Sequence, residues 1–80
     1  MAVQIDRFEW DEHNLGHLEH AHPNLDPETL QEIVRNAKRY VRLGRDRYGK
    51  MMYGARRSRL LVLFNIKRGR VVRIFSVRRL

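Results

Sequence analysis

Leu60-Leu61-Val62-Leu63-Phe64 is the longest apolar run in this 80-residue chain. As a strand it is apolar on both faces, which places it in the middle of a sheet rather than at an edge. After it, Lys67-Arg68-Gly69-Arg70 reads as a short hairpin connection, with glycine free to take a positive φ. Val71–Arg78 then returns as the last strand. By parity, Arg73, Phe75, Val77 and Arg79 are expected on one face, and Val72, Ile74, Ser76 and Arg78 on the other. Before the central run, Arg56-Arg57-Ser58 reads as a turn and Lys50–Ala55 as another strand. From Lys38 the pattern alternates, with Tyr40 and Arg42 facing one way and Val41 and Leu43 the other. Gly44, Asp46 and Gly49 bracket the turn between these two strands.

Upstream of Lys38 the period is helical. Asp26 is a good N-cap, Pro27 suits the first helical position and Glu28 favours the positive helix end. Leu30, Ile33, Val34 and Ala37 repeat at the spacing of one buried face. A first helix is expected from Glu12 to His22, capped by Asp11, with Leu15 and Leu18 on its buried stripe and Pro23 ending it. Phe8 and Trp10 alternate with charges, so a short strand precedes that helix. The order β-α-α-β-β-β-β gives an α+β fold: a single domain over residues 1–80, with both helices on one face of an antiparallel meander. The other face is expected to be open.

Charge is divided along the chain. Residues 1–34 hold eight acids and one base, Arg7, whereas residues 35–80 hold sixteen Lys and Arg and a single acid, Asp46. The chain has a formal charge of +8 and a pI near 11.1. A fold does not require such a balance; a polyanionic partner does. A membrane surface would call for a basic amphipathic helix, but here the cations lie in strand-like segments. No apolar run approaches the ~20 residues of a membrane span, and Met1 to Asp6 has no signal-peptide pattern. There are no cysteines, which fits a reducing cytoplasm and leaves neither disulfides nor thiolate ligands.

Within the basic half, Arg42, Arg56, Arg57, Arg59, Arg73, Arg78 and Arg79 fall on strands or turns. Arg73 interrupts an apolar strand, so it must either face water or find an anion. A guanidinium grips phosphate with two hydrogen bonds. Tyr48 and Tyr53 are candidates for base stacking beside a basic track, while Phe64 and Phe75 are expected in the core. All four histidines, His13, His17, His20 and His22, lie in the acidic part. On a helix, His13, His17 and His20 share a face. That is a conceivable zinc arrangement, but no recognised ligand spacing supports it. General acid–base chemistry is the other functional use of such histidines.

Two stretches carry a family resemblance. Phe8-Glu9-Trp10-Asp11-Glu12, followed by Asn14 and His17, resembles the opening of the BrnT family of bacterial toxins. Gly69-Arg70-Val71-Val72-Arg73-Ile74-Phe75-Ser76-Val77-Arg78-Arg79 is similar to that family's G-x-x-x-R-I-I-S-A-R-R strand. Asp26-Pro27-Glu28 and Leu60–Phe64 sit where the family has its second helix and central strand. Where the family has Lys-His-Gly at the end of its first helix, this chain has His20-Ala21-His22-Pro23. The resemblance implies a RelE-like toxin fold and the toxic half of a type II toxin–antitoxin pair. Such toxins cleave RNA, block translation and are held inactive by an antitoxin that also represses their operon on DNA.

On that basis the expected activity is metal-free transesterification of RNA without a cofactor. Arg73 and Arg78 are expected to stabilise developing charge, and His22 or His20 to act as base or acid. Arg56, Arg59, Arg79, Lys50 and Tyr53 are expected to hold the RNA. The expected partner is an antitoxin with an acidic segment that covers the basic half. Two alternatives remain at this level: a basic RNA- or ribosome-binding module without chemistry, and a metal-dependent enzyme using the histidines with Glu9, Asp11 or Glu12.

Overall fold

The computed structural model describes residues 5–21 and 24–80. In chain order the elements are β1 (Arg7–Phe8), α1 (Glu12–Ala21), α2 (Pro27–Asn36), β2 (Tyr40–Arg45), β3 (Met51–Arg57), β4 (Leu60–Lys67) and β5 (Val71–Arg79). The α+β class and the expected element order are both present. The strands form one sheet in the order β1-β5-β4-β3-β2. β2 to β5 make the antiparallel meander, with the apolar run at its centre as β4. β1 adds to β5 in parallel, so the sheet is mixed rather than wholly antiparallel.

Local chemistry explains the helices. The Asp26 side chain accepts from the Thr29 backbone N–H at 2.7 Å, and Pro27 begins α2. That hydrogen bond holds the Asp26 carboxyl below its ordinary range. Leu30, Ile33 and Val34 are almost wholly buried, as their spacing predicts. Asp26→Ala is expected to cost about 1 kcal/mol, read as a lowered urea midpoint with an unchanged slope.

In α1, Asp11 caps the helix by accepting from the His13 and Asn14 backbone N–H groups. Its buried stripe is Asn14 and Leu18, whereas Leu15 is only half-buried. Asn14 is inside because β1 is too short to finish pairing with β5. The Asn14 Nδ2 donates to the carbonyls of Ile74 (3.0 Å) and Glu9 (2.9 Å), and its Oδ1 accepts from the Asp11 N–H. One side chain thus satisfies three backbone groups that would otherwise be orphaned. Asn14→Ala is expected to cost about 2 kcal/mol in urea unfolding, since two carbonyls lose their donor. A loss below half of that would show that water replaces the amide. In the same seam, Trp10 Nε1 is buried and has no hydrogen-bond partner among the described residues, so Trp10 contributes through its ring.

The core lies between the two helices and one sheet face: Leu18, Leu30, Ile33 and Val34 pack on Ala55, Val62, Phe64, Val72, Ile74 and Val77. Both helices therefore cover the same face. The simple parity of β5 does not hold. Phe64 pairs with Ile74 and Leu63 with Ser76, so Phe75 is the extra residue of a bulge. Past it the alternation changes phase. Val72, Ile74, Val77 and Arg79 share the helix-covered face; Arg73, Ser76 and Arg78 share the open one. Burial drives the correction, because it keeps Val77 in the core alongside Val72 and Ile74.

A second correction concerns the β3–β4 turn. Arg56 and Arg57 remain in β3, paired with Leu61 and Leu60, and the loop is only Ser58-Arg59. Ser58 takes φ 52°, the left-handed geometry of a tight hairpin. Gly54 is required for a close approach: a Cβ there would meet Leu61 Cδ1 at 2.9 Å and Leu43 Cδ1 at 3.5 Å.

Candidate nucleic-acid interface

The β3–β4 hairpin and the end of β5 gather arginines by register. Arg56, Leu61 and Arg78 form one cross-strand row on the open face; Arg57, Leu60 and Arg79 form the adjacent row on the other. Arg59 sits in the turn between them. The pairing of Tyr40 with Ala55 brings Lys38 and Arg39 to the same rim of the sheet. Two adjoining concave surfaces result, sharing Arg57 and Ser58. One also includes Arg59, Arg79 and Leu25; the other includes Lys38, Arg39 and Arg56.

These six cations, with Arg78 beside them, have little to neutralise them. Among the described residues the single ion pair on this rim is Arg57 with Glu32, at 3.5 Å and exposed to solvent, which contributes little. The Arg56 Nε donates to the Ser58 carbonyl at 3.0 Å, which steadies its side chain across the turn. A run of exposed guanidiniums along a concave rim has the charge and donor geometry to receive phosphates. Lys38 and Arg39 were not singled out from the sequence. The available signal was their position immediately before Tyr40, which the antiparallel pairing sets opposite the arginine turn.

The predicted residues divide between two ends of the sheet. Arg56, Arg59, Arg78 and Arg79 come together. His20 joins that end of the molecule, because α1 runs alongside β5 in the strand's own direction. Asn14 bonds Ile74 near the helix start, and His17 and Leu18 border Ser76 and Val77 one turn later. His20 is exposed near the helix terminus, and His22 lies outside the described residues.

Lys50 is at the opposite end, one seven-residue strand away, or about 20 Å. Tyr53 is half-buried and stacks on Phe64, with centroids 5.8 Å apart, so it belongs to the core rather than to a stacking platform. Tyr48, at 79% exposure, is free in the β2–β3 turn, also at the far end. Phe64 is in the core as expected, but Phe75 is only partly covered.

Arg73 is held elsewhere. Its guanidinium donates to both oxygens of Asp11 and to Glu9, whose carboxylate also receives Lys67 Nζ at 3.0 Å. Arg73 pairs with Asn65 and Arg78 with Leu61, which sets the two arginines about 13 Å apart along the sheet. The anion that Arg73 needed is therefore the acidic N-terminal segment of the chain itself.

The Arg73 bonds, followed by the helix-capping N–H of Asn14, lower the Asp11 carboxyl to about 2 from its ordinary 3.8. The Lys67 ammonium, together with Arg73, lowers that of Glu9. Carboxyls depressed in the folded state add stability above their unfolded pKa and lose it as pH falls through the folded value. The advantage of the wild type over Asp11→Asn is thus expected to be complete above about pH 4 and to vanish toward pH 2. Denaturant melts across that range test it, and a constant gap would remove Asp11 as the cause.

Among the described residues, no three His, Asp or Glu side chains converge to hold a metal ion. No helix is long and apolar enough to cross a membrane. No family model, curated protein or solved structure matches this chain.

Proposed function

We propose that this protein is an RNA-directed toxin of the type II toxin–antitoxin kind, with a RelE-like fold and acting in the cytoplasm. It cleaves RNA by metal-free transesterification and so blocks translation. The observation that carries the reading is the sheet rim where Lys38, Arg39, Arg56, Arg57, Arg59 and Arg79 line adjoining concavities with, among the described residues, one weak acid partner between them. RNA phosphates lie along that rim. At the scissile step the ribose 2′-oxygen attacks the adjacent phosphorus, the bond to the 5′-oxygen breaks, and a 2′,3′-cyclic phosphate remains. A base removes the 2′-hydroxyl proton, and an acid protonates the departing 5′-oxygen. Arg78 lies on the face opposite α1, so it stabilises the phosphorane charge of a phosphate seated past the end of β5, where the α1 end also reaches. His20 moves a proton at the α1 end, with His22 the other candidate for that role. An antitoxin with an acidic segment neutralises the basic surface.

A second reading, an RNA- or ribosome-binding module without chemistry, is favoured by one observation. Arg73 is occupied by Asp11 and Glu9 and is not available to a phosphorane. One experiment separates the two. Purified protein is incubated with end-labelled single-stranded RNA, with and without EDTA, and run on denaturing and native gels. Fragments that end in a cyclic phosphate and persist in EDTA support the nuclease. Shifted but intact RNA, both free and on ribosomes, supports the binding module. Neither shift nor cleavage rejects both readings.

A further inference from the structure

The helices cover one face of the sheet and leave the other with an apolar patch. Leu43, Met52, Leu61, Leu63 and Phe75 line a groove there, with Arg78 at its edge. Leu43 is 40% exposed, and neighbouring Val41 is 48% exposed. Alternation along β2 puts Leu43 on this face with Val41, Gly54 lets Leu43 and Leu61 close over the strand, and the β5 bulge inserts Phe75. Leu63 forms the buried floor of the groove, and Leu43 and Val41 are its exposed apolar neighbours, which makes the groove a candidate docking site.

We propose that this open face docks an amphipathic, acidic segment of a partner protein. Its aliphatic stripe fills the groove between Leu43, Leu61 and Leu63, and its carboxylates meet Arg56 and Arg78. The row Arg56–Leu61–Arg78 sets a cation on each side of a central leucine. An apolar stripe flanked by acids complements that pattern.

A second copy of this chain does not fit. The acids bordering this face at its far end, Glu9 and Asp11, are already held by Lys67 and Arg73, so stacked copies would oppose arginine to arginine. RNA fits less well, because the groove is aliphatic apart from Phe75 and bases favour aromatic stacking. The RNA track uses the rim, so the docking face stands even if the nuclease reading fails. Where that reading holds, a segment bound here would also cover Arg56 and Arg78.

The test uses isotope-labelled full-length protein and a synthetic 16-residue helical peptide with a Leu/Ile stripe flanked by Glu. A matched peptide with Lys in place of Glu serves as control. Amide shifts are expected on β2 to β5 around Leu43, Leu61 and Phe75, with binding weakened at least fivefold by Leu43→Asn and absent for the Lys peptide. Leu43→Asn changes an exposed position, so the fold is retained, and RNA binding on the rim is expected to be unchanged in it. The proposal is overturned by shifts confined to the helices or rim, or by equal binding of both peptides. It is also overturned by no shift at millimolar peptide. A concentration-dependent dimer abolished by Leu43→Asn would assign the face to self-association instead.

Discussion

Replacing Arg56, Arg59 and Arg79 together by alanine is expected to weaken binding to single-stranded RNA about 100-fold at ~0.1 M salt. All three side chains are exposed, and none pairs with an acid among the described residues, so their removal leaves the core intact. Each phosphate contact on a single strand contributes about 0.7 to the slope of log K against log salt. Relative to ~1 M salt, three lost contacts therefore remove about two log units at ~0.1 M. The salt titration is the sharper readout, because its slope should fall by about 2 whatever the RNA sequence. Replacing Arg45, Arg47 and Lys50, at the opposite end of the sheet, removes the same charge and serves as the control. Equal losses from the two triple variants would mean that net charge, not the rim, binds the RNA.

Arg73→Met is expected to destabilise the fold by about 2–3 kcal/mol, lowering the thermal midpoint by about 10–20 °C. The Arg73 side chain is 21% exposed, and its guanidinium joins Asp11 to Glu9. Removing it leaves two neighbouring carboxylates, one of which caps α1, with only Lys67 to offset them. The protonated state of Arg73 is itself favoured by Asp11, so the two effects are expected to be coupled. A double-mutant cycle with Asp11→Asn should give a clear interaction energy; simple additivity would show that the geometry contributes nothing. At a temperature where Arg73→Met remains folded, RNA binding and any cleavage should be unchanged. A folded variant that still binds RNA but no longer cleaves it would return Arg73 to the reaction.

The element order, the α2 stripe of Leu30, Ile33 and Val34, the caps at Asp11 and Asp26, and the central place of Leu60–Phe64 were all legible along the chain. These follow from local periodicity and from side chains that bond their own backbone, so they need no knowledge of distant contacts. The basic character of the second half was legible for the same reason, because charge is a property of composition. The rest depends on contacts between residues far apart in the chain. The bulge at Phe75 reverses a face assignment that strict alternation would give, because burying Val77 outweighs a regular ladder. Asn14 enters the core because the two-residue β1 leaves the edge of β5 unpaired. Arg73 leaves the predicted phosphate site because Glu9 and Asp11, more than sixty residues earlier, lie beside it once β1 aligns with β5. Lys38 and Arg39 join the arginine rim through strand register, which links residues remote in sequence and is set by whole-sheet packing rather than by any local signal.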